Sequence, residues 1–427
     1  MKHLALLALC LSIVAALAGC APEMASSPSV ASQPDATEAA TATPQPAAVN
    51  VAATPDPAAE APVAAPTQDL LASIAAAEPE GAFADFAVLP LQSPSSTQPL
   101  WAVVSTGMRN WDLAPSPSHF IAIYTYGGAG WQQLARADLD GDAISPDFVY
   151  GDAVRQVEID PSRIFIEIPG GAGAHGGTYQ LFSYDGSILR EEVAAWGSSP
   201  GNGRSADVND DGVPEVVLDQ SDPYIFCYAC GAVKVQMQVL RWDAGETELI
   251  PVDLQPMPAG TPNSVSGPAD RAVVLAQAGL WKDAVALMEE ARAAAGTEAP
   301  EELVWNQALI RLHAEALQAS LNMEWPLIQQ VFYGDYAAAV DIMRGYKPEE
   351  IWTPESPLIT DPLVEPFIES LSVNLIESAS KAIVAEPDLA AAWFIRGWGA
   401  YLGDPASEQA RADVAKAAEL APGDALY

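Results

Sequence analysis

Cysteine and basic residues are scarce in this sequence. Of four cysteines in 427 residues, two lie near the start and only Cys227 and Cys230 remain for a folded part, which excludes a disulfide-rich framework. Lys and Arg total 19 against 56 Asp and Glu, giving a formal net charge of -37. Such an acidic chain repels nucleic acid and anionic lipid surfaces, so neither is expected as a partner.

Long apolar runs are also missing. The longest, from Leu4 to Leu17, follows the basic start Met1-Lys2-His3 and is too short to span a bilayer, so it predicts a secretion signal over residues 1–19. It ends in Leu17-Ala18-Gly19-Cys20, which resembles the lipobox of bacterial lipoproteins. The resemblance implies lipidation of Cys20 and an extracytoplasmic position at the cell membrane. An ordinary signal peptide with an incidental cysteine is the alternative.

Residues 20–66 form the next segment. From Ala21 to Pro66 the chain is mainly Ala, Pro, Thr and Ser and contains no aromatic residue, Lys or Arg, so it cannot build a core. We predict a disordered tether between the lipidated cysteine and the folded part. A glycosylated stalk would have the same mechanical role.

Residues 70–254 carry strand signals at all-β spacing. Short β-branched and aromatic runs alternate with Gly, Pro, Asp and Ser turns. The equally spaced Tyr126, Tyr184 and Trp242 each precede a turn rich in Gly or Asp, which favours about three similar β units, although chance alignment of turns would give the same spacing. The sequence predicts a blade-like or sandwich-like all-β domain.

One loop in this region has the composition of a calcium site. Residues 207–215 place oxygen ligands at positions 1, 3, 5 and 9, with Gly212 at position 6 for a sharp turn. Calcium is a hard cation that takes six to eight oxygens. The predicted ligands are Asp207, Asn209, Asp211, the Val213 carbonyl and Glu215.

This loop is similar to the Asp-rich loops of FG-GAP and VCBS repeats, in which the final acid opens a strand. The resemblance implies a structural calcium ion in a β hairpin. An EF-hand or dockerin loop would need an acid at position 12, which is Leu218, and a helix after it. The alternative is a solvated Asp-Gly turn without metal. The region has room for about three units, which is too few for a complete integrin-type propeller.

An upstream segment looks like a degenerate copy of the loop. Its Gly is at position 4, Ala143 stands at position 6 and the last acid comes one residue late, so a turn without metal is an equal alternative. The possible ligands of this second metal loop are Asp138, Asp140, Asp142 and Asp147.

Two further motifs favour structural roles. Cys227 and Cys230 predict a local disulfide in an oxidising compartment, because the context of a thioredoxin-type or zinc site is missing. The segment Gly170–Gly177 weakly resembles a phosphate-binding loop, but it lacks the Lys-Ser/Thr pair and a helix after it. We predict a glycine loop between strands, with His175 exposed.

The last part of the chain is predicted to be helical. After a Pro-rich linker over residues 255–267, residues 268–427 are rich in Ala, Leu and Glu with helical periodicity. Three stretches resemble the tetratricopeptide (TPR) repeat. The first comprises Ala272, Leu275, Gly279, Trp281, Ala284, Met288 and Ala291. The second comprises Gly334, Asp335, Tyr336, Ala339 and Met343, and the third Trp393, Arg396, Gly397, Tyr401, Gly403, Asp404, Ala410, Asp413, Ala417 and Pro422.

The TPR resemblance implies an α-helical solenoid that binds a protein or peptide partner. The spacing is uneven, and Trp352-Thr-Pro354-Glu-Ser-Pro357 interrupts the array, so an irregular bundle of helical hairpins is the alternative.

These features together favour a non-catalytic scaffolding lipoprotein. An extracytoplasmic hydrolase that uses the β domain as a substrate platform is an alternative, but after the leader only His119, His175 and His313 remain and no Gly-x-Ser-x-Gly elbow or zinc-protease motif occurs. A second alternative is binding of an envelope polysaccharide by exposed aromatic side chains of the β domain.

Overall fold

A computed structural model describes residues 67–93, 96–128, 130–141, 143–223, 232–321, 325–353, 356–359 and 368–427. The predicted signal peptide and tether with Cys20, as well as Asp142, Cys227 and Cys230, lie outside these residues. Residues 61–427 form one compact unit. In its described part, an antiparallel β region is followed by a helical region, as the sequence predicts.

The β region begins with helix α1 (Thr67–Ala77), which precedes the first strand. Thirteen strands follow within the described residues. They are β1 Phe83–Leu91, β2 Leu100–Arg109, β3 Phe120–Gly127, β4 Gly130–Asp138, β5 Phe148–Val149, β6 Arg155–Val157, β7 Ile164–Ala172, β8 Gly176–Tyr184, β9 Leu189–Gly197, β10 Gly203–Ala206, β11 Glu215–Asp219, β12 Met237–Asp243 and β13 Glu248–Pro251.

Both faces of β2 are buried over Leu100–Val104, where its sequence is continuously apolar. Ala102 and Val104 face a core inside the first sheet, whereas Trp101 and Val103 pack with Leu70 of α1 on the other face. Successive side chains of a strand point to opposite faces, so the two layers alternate along it.

The strands form two antiparallel sheets. The first has nine strands in the order β4-β3-β2-β5-β7-β8-β9, with β1 beside β2 and β6 beside β7, and it curls into a half-barrel so that β4 approaches β9. The second has the order β10-β11-β12-β13. Phe165 and Tyr179 of the first sheet share a core with Val216 and Leu218 of the second. The two sheets therefore share one apolar cluster.

Each predicted aromatic-and-turn hairpin is present. Tyr126 pairs with Trp131 across β3–β4, Tyr184 with Leu189 across β8–β9, and Trp242 with Leu249 across β12–β13. Each hairpin extends a three-stranded meander. Two of the meanders join within the nine-stranded sheet, however, so the three units are not three separate blades.

Nine helices follow the β region among the described residues. They are α2 Asn263–Gln277, α3 Trp281–Ala295, α4 Glu301–Ser320, α5 Pro326–Tyr333, α6 Tyr336–Met343, α7 Pro348–Ile351, α8 Ile368–Ala385, α9 Ala390–Gly403 and α10 Glu408–Leu420. The first of them starts at Asn263, earlier than the predicted boundary at Pro268. None of these helices, nor α1, is both long and apolar enough to cross a membrane.

Neighbouring helices form hairpins wherever short connections allow. The hairpins α2–α3 and α9–α10 contain the first and third TPR-like stretches, and α5–α6 contains the second. Gly334 ends α5 with φ of 82°, and the Asp335 side chain caps α6 by accepting from Ala338 N at 3.1 Å. Because α5 and α6 have only eight residues each, this hairpin is much shorter than its neighbours.

An apolar cluster joins the two regions. Val217 and Val239 of the second sheet pack against Trp305 and Leu309 of α4. At the same junction His313 Nε2 accepts a hydrogen bond from Met237 N at 3.3 Å. These contacts explain why the β and helical regions belong to one compact unit.

Candidate functional site

The predicted calcium loop lies between β10 and β11. Ala206 pairs with Glu215 at the base of the loop, so Glu215 is the first residue of β11. The structure thus has the strand that the sequence predicts after the final acid, where an EF-hand would have a helix. Asp210 and Gly212 adopt positive φ values of 62° and 89°, which reverse the chain tightly.

Side-chain oxygens of the loop accept hydrogen bonds from its own main chain. The Asp207 carboxylate accepts from Asp211 N at 3.1 Å and Gly212 N at 2.9 Å. Asn209 Oδ1 accepts from Asp211 N at 3.0 Å, and Asp211 Oδ1 accepts from Val213 N at 2.8 Å. These bonds turn the oxygen-bearing side chains of the odd positions toward the loop interior.

Glu215 differs from the other acids of the loop because it is buried, with 3% of its surface exposed. Its Oε2 accepts from Val208 N at 3.0 Å. Burial raises the pKa of Glu215 to about 7, and the nearby negative charges of Asp211 and Asp207 add to this increase. A cation in the loop would instead favour the ionised form of Glu215 and lower its pKa.

The loop suits a hard cation by its donor types, but it is not closed around one. Within the described residues, no three Asp, Glu, His or Cys side chains converge closely enough to hold a metal ion. The main-chain N–H groups of the loop bond to the carboxylate and amide oxygens that calcium would use. A carboxylate has about four lone-pair sites, so these bonds leave room for an ion, and binding would require the side chains to converge further.

In the second acidic loop, two of the predicted ligands bind the guanidinium group of an arginine. The guanidinium of Arg109, which is 6% exposed, donates to Asp140 Oδ2 at 2.9 Å and to Asp147 Oδ1 at 3.2 Å. Ser118 and Ser145 also donate to Asp140. The positive charge of Arg109 thus lies between two of the predicted ligands. Asp138 is an exposed residue at the end of β4 and does not join them.

The glycine segment forms the β7–β8 hairpin, as predicted. Asp147 Oδ2 accepts from Gly173 N at 2.7 Å, which ties the tip of the hairpin to the second acidic loop. A Cβ atom on Gly176 would lie 2.8 Å from the indole nitrogen of Trp196, so the glycine makes room for this ring. Trp196 is nevertheless 56% exposed, Trp111 is 55% exposed, and His175 is exposed at the hairpin.

The other two histidines in the described part of the chain, His119 and His313, are less exposed than His175. His119 is fully buried, and its Nδ1 lies 3.1 Å from Ser105 Oγ. His313 stacks on Trp281 with ring centroids 4.5 Å apart. Burial lowers the pKa of both imidazoles.

The TPR-like positions lie mainly at helix–helix contacts. Ala272, Ala284 and Ala291 are fully buried between α2 and α3 or their neighbours. In the last hairpin, Arg396 Nε and Nη2 each donate to Asp413 at 2.7 Å, and Asp413 is 1% exposed. This bidentate ion pair joins α9 to α10.

Two helices also hold the extended segment after β13 through polar contacts that have no signal in the sequence. Asn306 of α4 is fully buried; its Oδ1 accepts from Gln255 N at 2.9 Å and its Nδ2 donates to Gln255 O at 2.7 Å. Asp270 of α2 accepts from Met257 N at 2.6 Å. A single Asn or Asp inside a helical period has no distinctive spacing, which is why these residues were not predicted.

The comparisons with known proteins show no relative. No protein-family model, no curated protein and no solved structure matches the chain.

Proposed function

We propose that this chain is an extracytoplasmic, lipid-anchored scaffold that binds a polypeptide partner through its helical region. The observation that carries the proposal is the pair of hydrogen bonds between the Asn306 side chain and the main chain of Gln255. A side chain that pairs with both the N–H and the C=O of one residue binds an extended chain whatever that residue's side chain is. The TPR-like spacing and the lipobox support the same role.

Site-specific photo-crosslinking tests the partner-binding role. A photoreactive residue at Val373, on the exposed side of α8 and itself 55% exposed, is expected to capture a defined envelope protein. The control carries the same group at Ile188, which is 54% exposed in the β8–β9 turn. Equal capture at both positions, or none at either, would contradict binding through the helical region.

The membrane anchor rests on Cys20. We expect the purified chain to carry a diacylglyceryl mass on this residue and to fractionate with membranes. In the Cys20→Ala variant both properties should be lost. Membrane fractionation of that variant at the wild-type level would contradict a lipid anchor at this position.

We further propose that calcium stabilises the β region through the Asp207–Glu215 loop. Calcium is expected to raise the melting temperature of the wild type but not of Asp211→Asn, in which the acceptor for Val213 N remains and the charge is lost. Asp138→Asn is the matched variant in the second loop. An equal shift in Asp211→Asn and the wild type would rule out the first loop as the site.

Glycan binding is the second candidate function, and the exposed Trp111 and Trp196 favour it. A Trp side chain combines an apolar ring with an N–H donor, and Trp is enriched at binding interfaces for this reason. Retention on insoluble cell-wall glycan that is lost in Trp196→Ala would support this function. Release of soluble sugar by the wild-type chain would instead support the hydrolase alternative.

A further inference from the structure

The segment from Val252 to Met257 lies against the helical region in the manner of a bound peptide. Its polar contacts are made by its main chain: Val252 N donates to Val239 O at 2.9 Å, Gln255 pairs with Asn306, and Met257 N donates to Asp270 Oδ1 at 2.6 Å. The segment therefore continues from the end of β13, beside β12, onto α4 and α2.

Apolar side chains of the same segment face the protein. Leu254 and Met257 are partly buried against the helical core, and Leu254 also contacts the cluster that joins the β and helical regions. The side chains of Asp253, Gln255 and Pro256 are exposed. Val252 also packs against this joining cluster. Toward the helical core, the segment has two apolar anchors three residues apart, Leu254 and Met257. The amides that Asn306 and Asp270 bind belong to Gln255, directly after the first anchor, and to Met257 itself.

An open cleft runs alongside the segment. It has a volume of about 350 Å³ and is lined by Val252, Asp253 and Gln255 of the segment itself and by Arg241, Trp305 and the first turn of α4. Arg241 Nη1 donates to Glu301 Oε1 across this cleft at 3.1 Å. An incoming chain has room to approach Asn306 from this side.

We propose that this groove, formed by Asn306, Asp270 and the surrounding helical core, is a receptor site for an extended peptide, and that residues 252–257 occupy it as an internal competitor. The external ligand has the pattern apolar-x-x-apolar with a residue other than Pro after the first apolar residue. The inference rests on the proposed function and names its site and the class of its partner.

Self-occupancy has a measurable consequence. A tethered segment competes at an effective concentration on the order of millimolar, so an external peptide binds weakly until the internal segment is weakened. The probe is a labelled nine-residue peptide with the sequence of residues 251–259, added to the full chain and followed by fluorescence anisotropy. We expect the variant with both Leu254→Ser and Met257→Ser to bind it at least about tenfold more tightly than the wild type.

Two controls test the geometry of the site. The peptide with Pro in place of Gln255 lacks the N–H that pairs with Asn306 Oδ1, so its binding should be lost. Asn306→Ala, introduced into the double variant, should abolish binding of the unmodified peptide, whereas Gln307→Ala on the same helix should not. Binding that is insensitive to both the Pro substitution and Asn306→Ala would overturn the proposal.

Amide hydrogen exchange of the wild-type chain, measured with and without the peptide, tests the proposal even if the double variant unfolds. Saturating peptide should accelerate exchange of the amides of Gln255 and Met257, because it displaces the internal segment. Unchanged exchange at both amides would overturn the proposal. If crosslinking at Val373 still captures a partner while the peptide fails, the proposed function stands and this site is wrong.

Discussion

Glu215 shows how one buried side chain links a loop to the solution pH. Its folded-state pKa is raised from 4.5 to about 7, so the folded chain binds more protons than the unfolded chain between these values. Stability contributed by the protonated form is therefore fully present below about pH 4.5 and is lost as the pH rises toward 7. Calcium, which needs the ionised form, would compete with this proton.

Glu215→Gln should remove this pH dependence. In the presence of a chelator, we expect the variant to exceed the wild type in unfolding free energy by about 1–3 kcal/mol at pH 8, and by much less at pH 5, because Gln is never ionised. Urea unfolding at both pH values measures the difference. Glu246→Gln, in the exposed β12–β13 turn, is the control. A Glu215→Gln effect of equal size at both pH values would refute this linkage.

The sequence revealed which residues of the loop carry oxygen, but not their environment. Residues at odd positions around Gly212 are visible in the sequence, and so is the strand after Glu215. The burial of Glu215 depends on packing around the β10–β11 base, and the Arg109 cation between Asp140 and Asp147 comes from a strand about thirty residues upstream. No local pattern encodes such a long-range pair.

Gly203 of β10 packs so closely against the first sheet that it leaves no space for a side chain. A Cβ atom at this position would lie 2.2 Å from Cγ of the Tyr179 ring, and Tyr179 is itself 1% exposed. The ring cannot move away easily, because its hydroxyl donates to Glu167 Oε2 at 3.1 Å between the two sheets.

Gly203→Ala is therefore expected to lower the unfolding free energy by about 1–3 kcal/mol through overpacking. Gly128→Ala is the matched control, because nothing lies within 4 Å of a Cβ atom there, and its effect should stay within about 0.5 kcal/mol. Chemical unfolding of both variants measures this. Equal unfolding free energies of the two variants would contradict this prediction, because they would mean that β10 can move away from Tyr179 without loss of stability.

The last helical hairpin depends on the buried ion pair between Arg396 and Asp413. Asp413→Ala leaves a guanidinium that is largely buried and has lost its partner, so we expect a loss of about 3 kcal/mol in unfolding free energy. The control is Glu419→Ala on the same helix; Glu419 is 70% exposed and pairs with Lys416, so its loss should cost under about 1 kcal/mol. Similar losses for the two variants, measured by urea unfolding, would contradict this role.

Secondary structure elements were predicted from the sequence more completely than their assembly. Turns after Tyr126, Tyr184 and Trp242 mark three real hairpins because aromatic strand ends and Gly or Asp turns are local signals. The merging of two meanders into one curled sheet depends on pairing of β2 and β7 with the two-residue strand β5, which has no sequence signal. The sequence pattern likewise predicts no helix before the first strand, where α1 lies.

The whole folded unit is held together at the contact between the second sheet and α4. Leu309 and Trp305 are buried there against Val217 and Val239. Arg311 Nη2 of the same helix donates to Val208 O, within the predicted calcium loop, at 3.2 Å. The loop, the extended segment and the helical region therefore meet along one helix. Stability of the β region should be coupled to that of the helices through α4.

Leu309→Ala tests this coupling. The cavity should cost about 2–5 kcal/mol at the junction. We expect the wild type to melt in one cooperative transition and the variant in two. Circular dichroism at 222 nm reports on the helices, whereas tryptophan fluorescence reports on both regions, because each contains tryptophans. The melting midpoints from the two signals should therefore diverge in the variant. Val373→Ala, at an exposed site on α8, should leave them coincident. Coincident midpoints in Leu309→Ala would mean that contacts elsewhere, such as those of Asn306 with Gln255, are sufficient to unite the two regions.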